Sequence, residues 1–322
     1  MKLKSFYQEV VKKGIEADVR SKKEIEDLLK KKKKEYEGLD KDKRELFDLD
    51  SLFNPFADTR ILHDGDPNQN IKSVIVGIDV DGAELLLVDR LKEKNMPIDL
   101  VVAHHPSGHA YAHFYEVMDV QADIFTQQGV GMSVSESLLL ERKGEVERRV
   151  GAANHQRAVD VARFLNINFL CTHTPADNLA YQHVKGVIDK HKPKTLGEIM
   201  DILYTIEEYR HTAKNNNPPK IVIGNKNSRV KKVYYEFTGG TEGPIGIYDK
   251  LAANGIDTII AMHQSEAHFK KCKEVRINVI VASHIASDNL GMNVLLDHIS
   301  SKEKLKIYEF SGFRRFARKK GK

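Results

Sequence analysis

The stretch that decides the fold is IDLVVAHHPSGH, residues 98–109. Its first half is a run of apolar, β-prone residues, which predicts a short buried strand, and the run leads straight into His104 and His105. The same design occurs three more times, in stretches that begin with Ile-Asn or Ile-Asp and end on a histidine: INFLCTH on His173, IDTIIAMH on His263 and INVIVASH on His284. Four strands that carry histidine at their carboxyl ends are the strongest functional signal in this sequence.

The connections between the strands predict a mainly parallel α/β fold. IKSVIVGIDV (residues 71–80) predicts a strand, ELLLVDRLKEKN predicts a helix, and the strand ending on His104 follows. A strand–helix–strand unit with a short crossover places its two strands parallel and side by side. The helical stretch SEAHFKKCKEV predicts a second such unit, between the strands that end on His263 and His284. The near-continuous apolar runs agree, because parallel strands are covered on both faces.

Two of the histidine strands continue into matching motifs. INFLCTHTPADNL and INVIVASHIASDNL both read strand, histidine, three residues and then Asp-Asn-Leu, so that His173 and Asp177 correspond to His284 and Asp288. If each motif opens a helix, the aspartate lies one turn beyond the histidine on the same face. Ligands of open α/β sheets bind outside the carboxyl ends of the strands. The repeat therefore predicts two related halves whose strand ends face a shared crevice.

The cluster of histidine and aspartate predicts a metal site. A helix N-cap explains any one aspartate, and a hydrogen-bonded strand end explains any one histidine, but these interpretations do not explain the whole set. Divalent metals are bound by neutral imidazoles and ionised carboxylates at short range. Because His104 and His105 are adjacent, extended geometry points them to opposite sides, which fits two ions better than one.

Other polar residues near these strands are weaker candidates. His113 and His155 are interpreted as ordinary polar histidines of helical stretches, whereas His109 lies closer to the doubled histidine. The glycine-rich stretch TGGTEGP (residues 238–244) can offer backbone N–H groups to a phosphate. It lacks the Lys-Ser/Thr ending of a P-loop, so an ordinary tight turn is the preferred interpretation. Glu242 in this turn and His109 are the candidates for a general base.

The composition indicates a globular protein rather than a disordered, membrane or cysteine-rich one. The 322 residues are 41% hydrophobic and 30% charged. None of the apolar runs reaches the roughly 20 residues of a membrane span, and we expect no signal peptide. Two distant cysteines, Cys171 and Cys272, favour a reducing, cytoplasmic location. Cys171 is interpreted as a small buried residue rather than a nucleophile.

The net charge of +5 comes largely from two basic clusters, residues 30–34 and the tail residues Arg314, Arg315, Arg318, Lys319 and Lys320. Such clusters can bind phosphate backbones. A mixture of acidic and basic residues follows the first cluster, which favours a solvated helix face. Phe313 and Phe316 are interleaved with the tail arginines, and we prefer a solvated or inter-subunit tail. Nucleic acid is therefore not an expected partner.

Three regions follow from these patterns. Residues 1–57 are predicted as a helical N-terminal extension, and residues 58–70 as a turn-rich approach to the first strand. Residues 58–214 are predicted as the first α/β lobe with a helical insertion, in which AYAHFYEVMDVQADIFTQQ forms one helix. The stretch NNNPP (residues 215–219) is the clearest linker, and residues 215–322 are predicted as a second α/β segment and C-terminal tail.

In combination, these motifs resemble those of the NIF-three-like family of dinuclear-metal proteins. The resemblance rests on HHP after an apolar strand, on HTxxD, on a late histidine with a carboxylate four residues on and GM beyond it, and on DTRILHDGDP before the first strand. It covers about residues 58–299. It implies two α/β lobes with mainly parallel strands, a ring-shaped homohexamer, and a metal site at the strand ends where the lobes meet.

By this resemblance, two divalent metal ions per chain would be bound by His104, His105, Asp177, His284 and Asp288. His173 and His268 occupy further histidine positions that are typical of the family. The family usually has Gly-His and a glutamate in its last motif, where this chain has Ser283, His284 and Asp288. Since aspartate is one methylene shorter, the resemblance leaves open whether Asp288 bridges both metals.

Two neighbouring metal ions suit the hydrolysis of phosphoesters, amides or purine-ring C–N bonds, and relatives are labelled GTP cyclohydrolase one, type two homologues. The leading hypothesis is a metal-dependent hydrolase that acts on a small phosphate-bearing or nucleotide-like substrate. The alternative, from a different class, is a non-catalytic metal-binding or protein-interaction protein with a regulatory role. Histidine and carboxylate ligands together suit zinc, manganese and iron, so the metal itself is not predicted.

Overall fold

The computed structural model describes residues 1–318, which fold into nine strands and fourteen α-helices. Lys319 and Lys320, for which a solvated or inter-subunit role is predicted, lie outside the described residues. The strands are β1 (Arg60–His63), β2 (Ser73–Gly77), β3 (Leu100–Ala103), β4 (Phe169–Cys171), β5 (Lys220–Ile223), β6 (Val233–Glu236), β7 (Thr258–Ala261), β8 (Asn278–Val281) and β9 (Lys306–Glu309). The prediction of an α/β fold is confirmed.

The helices connect the strands and cover the sheets. None of those within residues 1–318 is both long and apolar enough to cross a membrane. They are α1 (Leu3–Glu16), α2 (Lys22–Gly38), α3 (Lys41–Glu45), α4 (Gly82–Glu93), α5 (Gly108–Ala112), α6 (Val120–Gln127), α7 (Met132–Gly151), α8 (Arg157–Phe164), α9 (Thr174–His191), α10 (Leu196–Leu203), α11 (Glu207–Lys214), α12 (Ile247–Ala253), α13 (Glu266–Glu274) and α14 (His284–Lys302).

The first sheet has the strand order β1-β4-β3-β2-β9. Its strands from β4 to β9 are parallel, whereas β1 runs antiparallel to β4. Val74 of β2 pairs with Leu100 of β3, and α4 is the crossover between them, so the predicted strand–helix–strand unit is confirmed. Every residue of β2 and β3 is buried, because apolar cores lie on both faces of the sheet.

The second sheet has the strand order β5-β8-β7-β6. Strands β6, β7 and β8 are parallel, and β5 runs antiparallel to β8. The second predicted unit, in which α13 connects β7 to β8, is therefore also confirmed. Both sheets place an antiparallel edge strand beside the strand that leads into a motif helix, β4 into α9 and β8 into α14. The sheets thus have matching plans, as the repeat predicts.

Helices α9 and α14 fill the space between the two sheets. Leu179 of α9 packs in the core of the first sheet, whereas Val184 of the same helix packs in the core of the second. Helix α14 likewise contributes side chains to both cores. The two helices cross closely at Gly291, where an added Cβ atom would lie only 2.1 Å from the carbonyl oxygen of Ala176. Both cores therefore depend on this pair of helices.

Two local features differ from the prediction. The stretch predicted as a single helix is divided into α5, a 3-10 helix (Phe114–Asp119) and α6. The predicted turn-rich approach contains β1, which was not predicted as a strand. Because β1 pairs with β4, far along the chain, its conformation depends on a tertiary contact that the local pattern does not carry.

The ends of the described chain belong to the first sheet. Strand β9 lies within the range predicted for the second segment, yet it pairs with β2. Helix α1 packs its apolar face, which includes Phe6 and Val10, into the core beside the first sheet. Helix α11 ends at Lys214 and β5 begins at Lys220, so the predicted linker does connect two elements. The domain boundaries as a whole stay a prediction.

The turn into α14 has an unusual backbone conformation. Ser283 has a φ of 79° and a ψ of 115°. This backbone conformation is strained for a residue with a Cβ atom, whereas glycine adopts it freely. Its hydroxyl is buried and has no hydrogen-bond partner within residues 1–318. Ser283 stands where the resembled family has glycine. The turn places His284 at the first residue of α14 and Asp288 one turn later.

Replacing Gly291 with alanine tests the close helix crossing. The added Cβ atom has no room beside the Ala176 carbonyl, so α9 and α14 must move apart. Overpacking of this kind costs about 1–3 kcal/mol, and we expect Gly291→Ala to lower the free energy of unfolding in urea by about 2 kcal/mol. Gly186→Ala in α9 is the matched control, since a Cβ atom there meets nothing within 4 Å. Equal effects of the two substitutions would contradict the close crossing.

Replacing Ser283 with glycine tests the strain in the turn. Glycine adopts the observed backbone angles without a Cβ clash, so we expect Ser283→Gly to raise the free energy of unfolding by about 1 kcal/mol. Ser283→Ala is the control, because it removes the unpartnered hydroxyl and keeps the strained conformation. Its stability should match that of the wild type in thermal and urea unfolding. A loss of stability in Ser283→Gly would show that the serine conformation carries no strain.

Candidate metal centre

The five residues predicted as metal ligands lie together between the two sheets. His104 and His105 directly follow β3, and Asp177 lies in the first turn of α9. His284 opens α14, and Asp288 follows one turn later on the same helix. The carboxyl ends of the strands and the N-termini of the two central helices thus meet at one place. The crevice predicted from the repeated motifs is present in the structure.

The inner group consists of His104, Asp177 and Asp288, and all three residues are buried. His104 Nε2 lies 3.4 Å from Asp177 Oδ1 and 3.5 Å from Asp288 Oδ1. These three atoms are buried and have no hydrogen-bond partner within residues 1–318, and the same is true of Asp288 Oδ2. Buried polar atoms without partners are costly, so their convergence on one small volume requires a functional explanation.

The outer group consists of His105, His284 and Asp288. The Nε2 atoms of His105 and His284 each lie 3.6 Å from Asp288 Oδ2. The two imidazoles are half-buried, with 27% and 38% of their side-chain surfaces exposed, whereas the Asp288 side chain is fully buried. One oxygen of Asp288 therefore faces the inner group and the other oxygen faces the outer group.

The spacing of these atoms fits a bound cation. A tetrahedral ion with bonds of about 2.0–2.2 Å keeps its ligand atoms roughly 3.3–3.6 Å apart. The distances from Asp288 to the histidines of both groups, 3.5 Å and 3.6 Å, agree with this separation. Together with the unpartnered buried atoms, the spacing shows that these histidine and aspartate residues could hold a metal ion.

Hydrogen bonds on the far side of the rings orient the doubled histidine. His104 Nδ1 donates to the backbone carbonyl of Thr172 at 3.1 Å, and His105 Nδ1 pairs with Asp79 Oδ1 at 2.7 Å. Both contacts leave Nε2 directed at the carboxylates, an arrangement that is typical of metal-binding histidines. Asp79 was not predicted as a residue of the site. Its sequence position beyond β2, at the same sheet edge, is the signal that could have identified it.

The surroundings set the protonation of the cluster. Burial lowers the pKa of His104, and it lowers that of His284 to about 4, so both imidazoles are neutral at neutral pH. Burial opposes ionisation of Asp288, but the neighbouring histidines, His104 first, outweigh it and lower the pKa of this carboxyl to about 2. Burial raises the pKa of Asp177 well above its usual value. Neutral imidazoles around an ionised carboxylate are the forms that bind a divalent cation.

His173 differs from the other histidines of the site. Its Nδ1 lies 2.8 Å from Asp58 Oδ2, and its Nε2 lies 3.7 Å from Asp177 Oδ2. Burial would lower the pKa of His173, but Asp177 and Asp58 outweigh it and raise the pKa to about 9. Thr174 Oγ1 also donates to Asp58, which fixes the carboxylate. Asp58 is the first residue of the stretch DTRILHDGDP. In the sequence, only the resemblance of this stretch to the family motif indicated that Asp58 could belong to the site.

A cleft connects the cluster to the glycine-rich turn. Its lining joins His173, Asp177 and His284 to residues of the turn and of β6, among them Glu236 and Glu242. Glu242 is buried, accepts a hydrogen bond from the Ser265 N–H, and lies 3.3 Å from His268 Nδ1. Burial, and then Glu242, raises the pKa of Glu236 to about 7. Two carboxyl groups with different environments therefore face the candidate metal ligands across this cleft.

The glycine-rich turn is a tight turn, as preferred from the sequence. Gly239 and Gly240 both have positive φ angles, 93° and 83°, which glycine adopts without strain. The side-chain amide of Gln121, from α6, donates to the carbonyl oxygens of Gly239 and Thr241. The insertion in the first lobe thus fixes the turn that forms one wall of the cleft.

The remaining histidines lie outside the cluster. His109 is on α5, near Asp48 and Arg60, and His155 Nε2 donates to the Val150 carbonyl at 2.7 Å. His113 ends α5. His268 donates to the Gly243 carbonyl, and the ring of His263 packs on His284 with centroids 4.7 Å apart. His268 and His263 therefore line or support the cleft. None of these five histidines belongs to a metal-holding group in the described chain.

Cys171 is a buried structural residue, as its place in the strand predicts. Its side chain is fully buried, and its Sγ atom lies 3.6 Å from the Asp58 carbonyl oxygen. Burial raises the pKa of the thiol to about 12, which removes the thiolate that a nucleophile requires.

No protein-family model and no curated protein matches this chain. Solved structures do match it. A NIF3 superfamily protein from Sphaerobacter thermophilus aligns with a TM-score of 0.69 and 24% identity, and the alignment covers 80% of this chain and 91% of that one. Reduced HcgD from Methanocaldococcus jannaschii aligns with a TM-score of 0.47 and 13% identity over 77% of this chain and 87% of its own.

A third match, from Thermus thermophilus, has a TM-score of 0.45 and 14% identity, and it covers 78% of this chain and 86% of that one. The Sphaerobacter protein aligns closely enough to support an argument about the fold. This chain is a mixed α/β protein with two mainly parallel sheets, and the alignment covers 80% of it. The resemblance read from the HHP and HTxxD motifs is thus confirmed at the level of the fold: this chain has the fold of a NIF3 superfamily protein.

Proposed function

We propose that this chain binds two divalent metal ions and is a metal-dependent hydrolase acting on a small phosphate-bearing or nucleotide-like substrate. One observation carries the proposal. The carboxylate of Asp288 is fully buried, has no hydrogen-bond donor within residues 1–318, and faces a different group of candidate ligands with each oxygen. A carboxylate in this position would suit a bridge between two cations. The aspartate side chain is one methylene shorter than the glutamate of the resembled family, yet its two oxygens lie 3.5 Å and 3.6 Å from histidines of the two groups.

In this proposal the inner ion is bound by His104, Asp177 and Asp288, and the outer ion by His105, His284 and Asp288. Zinc, manganese and iron all accept this set of nitrogen and oxygen ligands. Bound divalent ions supply Lewis-acid chemistry, because they polarise phosphoryl or carbonyl oxygens and stabilise the charge that develops during hydrolysis. The ionised carboxylate of Asp288 gives the cluster a negative charge, and this charge also favours the binding of cations.

The residues around the cleft have roles of their own in the proposal. His173, with a pKa raised to about 9, holds a proton beside the cleft and can donate a hydrogen bond to an anionic substrate. Glu242, which accepts a hydrogen bond from the Ser265 N–H, is the candidate general base that takes a proton from the attacking water. Glu236, with a pKa of about 7, can hold a proton for a leaving group.

We also propose a homo-oligomer, predicted above as a hexamer, and a cytoplasmic location. Helices α4 and α8 pack against each other and expose Leu86, Leu87 and Phe164, with 54%, 48% and 78% of their surfaces accessible. Exposed apolar side chains that form one patch are typical of an association surface, and these three residues are the candidates for it. Both cysteines are free thiols in the described chain, which is consistent with a reducing compartment.

Metal content tests the ligand assignment. After reconstitution with zinc or manganese, we expect elemental analysis to give two ions per chain for the wild type and fewer for His105→Ala and for Asp177→Ala, because each loses a ligand atom of one group. His155→Ala is the control, since this histidine bonds to the Val150 carbonyl and lies outside both groups. Its metal content should equal that of the wild type.

Fewer than one ion per reconstituted chain would reject the dinuclear centre. Unchanged metal content in both His105→Ala and Asp177→Ala would reject the assignment of these ligands. A loss of metal in His155→Ala of the same size would indicate that the substitutions act through general unfolding, which circular dichroism of each variant would reveal.

Turnover tests the hydrolase. We expect the zinc- or manganese-loaded protein to hydrolyse at least one member of a panel of nucleotides and phosphoesters. Loss of a general base lowers kcat by about 10²–10⁴-fold, so Glu242→Gln should do so without changing the metal content. Glu145→Gln is the control, because Glu145 is an exposed residue that pairs with Arg142. Two tightly bound ions without turnover would favour the alternative, a non-catalytic metal-binding protein.

A further inference from the structure

We infer that Tyr209 is a positioning residue of the candidate metal centre: through Ser287 it holds the strained turn that presents His284. The inference rests on the proposed function in one respect, since His284 is one of the ligands assigned there. It goes beyond that function because Tyr209 belongs to α11, a helix to which the proposed function gives no role.

Two hydrogen bonds connect Tyr209 to the turn. The hydroxyl oxygen of Tyr209 lies 2.9 Å from Ser287 Oγ, and Ser287 Oγ donates to the backbone carbonyl of Ser283 at 2.8 Å. A serine hydroxyl has one proton, and here that proton goes to Ser283, so Tyr209 must donate to Ser287. Tyr209 and Ser287 are both fully buried, and water therefore does not compete for these contacts.

These hydrogen bonds end on the residue whose backbone is strained. A non-glycine residue keeps such a positive φ only where its surroundings hold it there. The side chain of Ser283 does not do so, because its hydroxyl has no hydrogen-bond partner within residues 1–318. The Ser283 carbonyl does have partners, the N–H and the hydroxyl of Ser287. The contact from Tyr209 thus supports the group that fixes the peptide plane between Ser283 and His284.

The first half of the internal repeat has neither the strained turn nor these hydrogen bonds. Ala176 stands where the second motif has Ser287, and alanine has no hydroxyl to donate. Thr172, the residue before His173, is not among the residues with a positive φ. The ring of His173 is instead paired with Asp58. The contact between tyrosine and serine therefore occurs in the half of the repeat whose turn needs support.

Helix α11 is itself fixed against α14, which gives Tyr209 a rigid base. Glu208, the residue before Tyr209, is buried and accepts hydrogen bonds from Arg318 at 2.7 Å and 2.8 Å. It accepts another from Asn293 of α14 at 3.1 Å. A buried carboxylate needs such partners, and the loss of one is costly. The C-terminal tail and α14 therefore hold α11 in place through Glu208.

The first test is a crystal structure of full-length, metal-free Tyr209→Phe beside that of the metal-free wild type. Phenylalanine keeps the buried ring and removes the hydroxyl that donates to Ser287. We expect the φ of Ser283 to become negative and the His284 ring to move away from Asp288. Ser287→Ala removes the other hydroxyl and should give the same change, so it replaces Tyr209→Phe if that variant does not fold. An unchanged turn in these variants would overturn the inference.

The second test is a titration with cobalt(II), followed by its visible absorption. Loss of a residue that supports a metal ligand lowers metal affinity by about 10–100-fold, so we expect Tyr209→Phe and Ser287→Ala to bind cobalt more weakly and with an altered spectrum. Tyr235→Phe is the matched control, because it also loses a buried tyrosine hydroxyl, one that donates to Asp189 near the end of α9. Its thermal midpoint should fall as well, but its cobalt affinity and spectrum should equal those of the wild type. The same loss of affinity in Tyr235→Phe would contradict a specific role of Tyr209.

Ser283→Gly provides a rescue. Because glycine adopts the turn without strain, adding Ser283→Gly to Tyr209→Phe should restore the cobalt affinity and spectrum of the wild type. A loss that persists in this double variant would overturn the inference, since it would show that Tyr209 does not act through the turn. Fewer than one cobalt ion per wild-type chain would reject the dinuclear centre, whereas a displaced turn in the Tyr209→Phe crystal would still support the role of Tyr209.

Discussion

The structure depends on one contact, the close crossing of α9 and α14 at Gly291 and Ala176. The two helices approach each other closely because Gly291 has a hydrogen atom where any other residue would have a Cβ atom. It brings the N-terminal turns of both helices together, and with them Asp177 and Asp288. The positive end of a helix dipole favours a carboxylate in the first turn, where Asp177 lies in α9. Since side chains of both helices pack into both cores, the geometry of the candidate centre and the stability of the fold have the same origin.

A buried carboxylate with neither oxygen hydrogen-bonded is rare in folded proteins. Within residues 1–318 Asp288 is such a group, and the neighbouring histidines, His104 first, outweigh its burial and lower its pKa. The fold therefore maintains a negative charge in an enclosed place. His173 shows the contrasting arrangement. Its Nδ1 atom pairs with Asp58, and the carboxylates of Asp177 and Asp58 raise its pKa, so that its ring stays protonated. The two environments lie side by side, and His173 also forms a possible metal-holding group with His104 and His105.

Much of this could be predicted from the sequence because strand ends and helix starts are local. The apolar run before His104 and the repeated His-x-x-x-Asp-Asn-Leu motif predicted one crevice for histidines and aspartates of both halves, and the structure brings such residues together there. The contacts of Asp58 and Asp79 could not be predicted, because each depends on the packing of a strand end against a histidine from elsewhere in the chain. Strand β1 was missed for the same reason, since its partner β4 is distant in sequence. The role of Glu242 in the wall of the cleft depends on the docking of the second sheet against α9 and α14.

The pairing of β9 with β2 has a consequence for the order of folding. Ser73 lies opposite Lys306, so β2 receives this second parallel neighbour only after all the strands of the second sheet have been synthesised. Contacts of such long sequence separation form slowly, and an unpaired strand edge can associate with other chains in the meantime. The second sheet, formed entirely by residues between these two strands, has no such delay. The lobe that emerges first from the ribosome is thus the one that is completed last.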